Sequence, residues 1–165
     1  VIAIGNAVSH FAGKEGFELK DNSEEEKEDT TSTGNLTPYN ERERESIKNL
    51  ITGSIFKTNI DNTHPMAFGY DKDYYSLKLS SDSYSLLKDG YNVAYLQDNP
   101  EIVSGFAGSE AKVAIKNSMT YGIEPMGRGS FVYIVDNPLF RAFWENGKLF
   151  VVNAIFFVDN DDLNR

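Results

Sequence analysis

The residues of this chain whose types and spacing could do chemistry are few. The stretch "EPMGRGSFVYIVDNPLFRAFWENGKLF" (124–150) sets Asp136 and Asn137 after a run of apolar residues and before Pro138. Ligands and catalytic groups gather at the carboxyl ends of strands in open α/β sheets, so Asp136 is the first carboxylate to weigh. The competing role is a helix cap, because Asp or Asn followed by Pro in the first turn satisfies an orphan amide and presets the helical dihedral. Caps recur at most helix starts and catalytic carboxylates at few, so capping is the expectation. His64 in "THP" is the candidate acid–base residue, although a His-Pro turn more often holds its imidazole on a backbone group. Arg128 in "GRG" and Arg141 complete a weak set of pocket candidates. "GRG" precedes a strand, whereas phosphate cradles lie between a strand and a helix N-terminus, so it is expected to be a turn.

Other combinations carry less. Ser9 and His10 are adjacent, and neighbouring side chains on a helix diverge by about 100°, so they do not form a dyad by adjacency. Two histidines without a His-x-x-Glu or His-Glu-x-x-His pattern do not make a zinc site, and no Gly-x-Ser-x-Gly elbow is present. The absence of cysteine removes thiolate nucleophiles, disulfides and Cys-ligated metals. Tyr70, Tyr74, Tyr75, Tyr84, Tyr91 and Tyr95 could stack on sugars or a peptide, but strand packing explains them more simply.

The elements that must position these residues read as alternating strands and helices. Strand-like runs occupy 1–5, 54–60, 91–97 and 130–136, with a Tyr-rich extended stretch between the second and third. Helical patterns cover "NAVSHFAGKEG" closed by Gly16, "NERERESIKNLITG" capped by Asn40 and ended by Gly53, and "SEAKVAIKNSM" capped by Ser109. After Pro138 a helix over 138–146 would bury Phe140, Phe143 and Trp144. A second helical stretch would then run to about Phe157, although the β-branched content of "LFVVNAIFF" alone favours a strand. Continuously apolar strands alternating with helices predict an α/β fold, three-layered and doubly wound around a mostly parallel sheet.

The 165 residues, 40% apolar and 13% aromatic, suit a single domain over 1–165 with a buried core. The net charge of -9 argues against a nucleic-acid backbone as partner. More than half of that excess lies in "ELKDNSEEEKED", and 18–39 is expected to be a mobile acidic insertion. No apolar run approaches the roughly 20 residues of a membrane span. The chain opens at Val1 in a strand-like run, which reads as an N-terminally incomplete piece of a longer protein.

Four phrases, "DNTHPMAFGY", "VSGFAG", "EPMGRGSFVYIVDNPLFRAFWENGKLF" and "NAIFF", together resemble the class I glutamine amidotransferase-like domain at the C-terminal end of certain secreted bacterial zinc carboxypeptidases. The likeness spans most of 1–17 and 40–158 and implies a flavodoxin-like sheet. It places Gly5 or Asn6 where working amidotransferases carry a nucleophilic Cys, and Asp136, Asn137 and Pro138 where they carry His-Pro-Glu. With nucleophile and base both replaced, amidase chemistry is not expected. The resemblance therefore implies a non-catalytic accessory domain, with no cofactor of its own and no metal site in this chain. Zinc and C-terminal peptide cleavage belong to the parent, its upstream carboxypeptidase domain is the partner, and the location is periplasmic or extracellular. A homodimer, a carbohydrate or cell-wall binding module, and an independent hydrolase using His64 stand as alternatives.

Overall fold

A computed structural model describes residues 1–22 and 38–158. Its longest strand, β2 (Ile51–Ile60), alternates in burial from Ser54 to Ile60. Ser54, Phe56, Thr58 and Ile60 point inward while Lys57 and Asn59 point out, and a strand with one wet face suits antiparallel pairing. β3 (Asp73–Lys78) pairs with it antiparallel, from Ser54 opposite Lys78 to Asn59 opposite Asp73. On its other side β2 meets β5 (Glu101–Ala107), through two register shifts, and β4 (Tyr91–Tyr95). β4 continues to β6 (Met119–Met126), which turns at Gly127 and Arg128 into β7 (Gly129–Ile134). β1 (Ile2–Ile4) adds to β7 in parallel, giving the order β1-β7-β6-β4-β2-β3 with β5 against β2.

The sheet is therefore mixed, with one parallel pair and the rest antiparallel, and it curls into a half-barrel with few helices. This corrects the expectation of a doubly wound, mostly parallel three-layer sheet. A doubly wound sheet needs a helix after each strand, and the local sequence withholds those helices. "NAVSHFAGKEG" forms only a 3-10 turn, Gly5–His10, because Gly5, Gly13 and Gly16 take φ of 57°, 68° and 89°. The helix α1 (Tyr39–Lys48) buries no residue and stops before Ile51, which opens β2 instead of closing a helical face. The helix α2 (Ser109–Ala114) is short and gives way to β6 at Met119. Of the helix expected over 138–146 there is a 3-10 turn, Phe140–Ala142, in which Arg141 and Ala142 have positive φ. Phe143 is consequently 58% exposed and does not belong to the core.

The apolar run at the end is helical: α3 (Glu145–Phe157) lies across the inner face of the sheet. Phe150 sits at the centre, its ring 4.2 Å from Tyr121, 4.4 Å from Tyr70 and 4.6 Å from Tyr74. Asn153 fastens the helix to the Pro65–Ala67 turn by donating to the carbonyls of Met66 and Phe68 at 2.9 and 2.8 Å. At Gly147 a Cβ would lie 2.3 Å from the carbonyl oxygen of Pro138, so only glycine lets the helix start so close to that turn. A second apolar cluster, with Val8, Leu19, Tyr84 and Tyr133, fills the other side of the β1/β7 end.

The expected insertion 18–39 is described only at its ends. Residues 18–22 are tied down: Leu19 is fully buried, Asp21 bridges to Tyr84, and the Glu18 carboxylate accepts from the backbone amides of Lys88 and Asp89. Tyr39 belongs to α1. The rest of the expectation, 23–37, lies outside the described residues.

Candidate functional site

The period of two in β3 points Tyr74, Ser76 and Lys78 inward, and the chain leaving β7 delivers Asp136 to meet them. The Ser76 hydroxyl donates to Oδ2 of Asp136 at 2.5 Å, and the Lys78 ammonium donates to Oδ1 at 3.1 Å and to the carbonyl of Asp82 at 3.0 Å. The side chains of Lys78 and Asp136 are 1% and 8% exposed. Burial, with the Asp136 charge as the second cause, pushes the Tyr74 phenol well above the usual tyrosine range. The cluster resembles a serine–lysine arrangement in its residue types but not in its wiring. A lysine acting as base would accept the serine proton, whereas here hydroxyl and ammonium both donate to one carboxylate. The arrangement fixes a charge pair and joins β3 to the end of β7 across the half-barrel.

The parallel register of Ile4 opposite Ile134 brings the ends of β1 and β7 side by side, so Gly5 and Asn6 lie at the same end as Asp136, Asn137 and Pro138. Gly5 has open space where a Cβ would be, and the exposed Asn6 uses its carbonyl to accept from the Ser9 hydroxyl at 2.9 Å. Asn137 accepts the Leu139 amide at 3.0 Å, which stabilises a turn rather than the first turn of a regular helix. Asp136 caps nothing in this geometry; its carboxylate is committed to Ser76 and Lys78.

The remaining candidates sit on separate elements with local contacts. His64 is half-buried, accepts the Met66 amide on Nδ1 at 3.2 Å, and so caps the Pro65–Ala67 turn, with its ring 5.0 Å from Tyr91. Asp61 braces the same turn; its bond from the Thr63 hydroxyl is the main reason its carboxyl lies below the usual range. Arg128 is exposed in the β6–β7 turn. Arg141 is exposed and its guanidinium lies 5.1 Å from the centre of the Phe140 ring. His10 Nε2 lies 2.7 Å from Lys14 Nζ, away from the Ser9 hydroxyl bond.

Lys78 and Ser76 were not legible as site residues, because their partner is 58 and 60 positions away in the chain. The only local signal is a lysine at an inward position of "DYYSLK". A second buried carboxylate, Glu124, accepts the Glu18 amide at 2.9 Å and the Tyr133 hydroxyl at 2.7 Å, and so anchors the segment that carries Leu19. Among the described residues no three His, Cys, Asp or Glu side chains converge to hold a metal ion, and no helix is long and apolar enough to cross a membrane. No family model, curated protein or solved structure matches this chain.

Proposed function

We propose that this chain is a non-catalytic accessory domain that packs against the rest of a larger protein through the outer face of α3. The observation that carries this reading is the make-up of that helix. After Lys148 it is almost wholly apolar, burying Phe150 and Ala154 on one side while Leu149, Val152 and Ile155 face outward at 40%, 44% and 60% exposure. A helix apolar on all sides is normally covered on all sides. Phe68, 68% exposed and 5.7 Å from the Phe157 ring, extends the same patch. The commitment of Asp136 to Ser76 and Lys78 supports the non-catalytic part.

The occupant we assign to this face is the zinc carboxypeptidase domain of the parent chain, in the periplasm or outside the cell. That assignment rests on the quoted phrases alone; the amidotransferase sheet forms no part of it. Hydroxyl-radical footprinting of the 165-residue chain and of the full-length parent tests the docking. Leu149, Val152 and Ile155 should label readily in the first and be protected in the second, and equal labelling would refute it. Turnover of glutamine or of a C-terminal peptide bond by the chain alone, lost on Asp136→Asn, would refute the non-catalytic reading.

A further inference from the structure

On the face of the sheet turned away from α3, strand register assembles a polar platform from residues far apart in sequence. One cross-strand row runs Tyr75, Lys57, Glu101 over β3, β2 and β5, and the next runs Asp73, Asn59, Tyr95 over β3, β2 and β4. Residues opposite one another in register share a face, so the tyrosines stand at diagonal corners, with two strand spacings, about 10 Å, between the outer strands. The β4–β5 connection closes one side with Gln97, Asn99 and Pro100, and these with Lys57, Asn59, Asp73 and Glu101 line a pocket of about 160 Å³. Beside it Tyr75 and Tyr95 stand as register neighbours of Lys57 and Asn59. Lys57 Nζ lies 3.1 Å from Asp73 Oδ2, with both side chains about one-third exposed. The Asp73 hydrogen bond is the main reason the Lys57 ammonium titrates above its usual range, and Glu101 adds to the effect.

We propose that this groove binds a neutral saccharide. Two carboxylates surround one ammonium, so an anion meets net repulsion, while the ammonium stands where a bound cation would need to be. An apolar ligand would strand the three carboxamides without partners. A sugar ring supplies hydroxyls that both donate and accept, which suits Asn59, Gln97 and Asn99, whose amides do the same, and the ionised groups that do one or the other. Its C–H face can lie on a tyrosine at the rim, where aromatic rings with a polar tip serve best. The site is independent of the α3 surface, so either proposal can fail without the other.

The test is a titration of the isotopically labelled 165-residue chain, followed by backbone amide shifts. The probes are cellobiose, maltose and N,N′-diacetylchitobiose, with calcium chloride and inorganic phosphate as the rival chemistries. At least one disaccharide should give saturable shifts confined to the neighbourhoods of 57–59, 73–75 and 95–101. The affinity should fall about tenfold in Asn59→Ala and in Tyr95→Ala, with resonances of the α3 side unchanged. Glu101→Gln, nearly isosteric and exposed, serves as a third variant that should weaken binding without disturbing the fold. The proposal is overturned if no disaccharide gives saturable shifts there, if calcium or phosphate gives them in place of sugar, or if all three variants bind sugar as the parent sequence does.

Discussion

At Asp136 two donors converge on one carboxylate in a place water hardly reaches, and the value of each contact depends on the other. Taking both charges out of water is costly, and the Ser76 hydroxyl and the Asp82 carbonyl offset part of that cost by giving the second carboxylate oxygen a donor and the ammonium a second acceptor. Removing one partner leaves the other charge buried and alone. Asp136→Leu or Lys78→Met should therefore each cost about 3–5 kcal/mol, while the double replacement Lys78→Met with Asp136→Leu should recover most of it. Urea unfolding of the four proteins gives the cycle directly. Single variants within about 0.5 kcal/mol of the parent would mean that the pair does not hold β3 to β7.

The two faces of α3 should answer to substitution very differently. Phe150→Ala opens a cavity among Tyr70, Tyr74 and Tyr121, and should cost about 3–5 kcal/mol. Ile155→Ala on the outer face of the same helix should stay within about 0.5 kcal/mol in the 165-residue chain. Comparable losses at both sites in thermal unfolding would place Ile155 in the core and remove the basis for a docking face. Strands β1, β2, β4 and β7 could be located from sequence because runs such as "FVYIV" and "SIFKTNI" carry a strong β signal. Their direction could not. β7 is apolar on both faces because α3 covers one and the Val8–Leu19 cluster covers the other, and a continuous apolar run reports burial, not parallel pairing. β5 and β6 were missed because Gly105 and Gly122 with Pro125 interrupt their patterns, and their pairing with β2, β4 and β7 is tertiary. Asp136 stood out by its place after an apolar run, but the partners that decide its role arrive only once the sheet curls.

At the scale of the whole molecule, buried phenols tie stability to alkaline pH. Tyr70, Tyr74, Tyr84, Tyr121 and Tyr133 are all shifted upward, chiefly because burial disfavours the phenolate; Tyr84 is pushed up to about 12 and the others beyond it. The half-buried Tyr70 and the fully buried Tyr121 also give their hydroxyl protons to backbone carbonyls, Tyr70 to Asn146 at 2.6 Å and Tyr121 to Phe150 at 3.2 Å. In the unfolded chain these groups ionise near the ordinary tyrosine value of about 10. The sign follows: below pH 10 both states hold the protons and the stability they allow is fully present. Above it the unfolded state releases protons that the folded state keeps, so stability falls as pH rises through the folded values. Each tyrosine contributes a slope of at most about 1.4 kcal/mol per pH unit, and five together exceed the stability of an ordinary domain within a few units. The net charge of -9, which only grows as lysines deprotonate, acts in the same direction. Tyrosinate absorbance and far-ultraviolet circular dichroism, followed together above pH 10, should therefore report one cooperative transition in which the buried tyrosines ionise as the sheet unfolds. Ionisation of all nine tyrosines along a smooth curve centred near pH 10, with the dichroism intact, would show that Tyr74 and Tyr121 reach water in the native fold and that α3 does not seal the half-barrel.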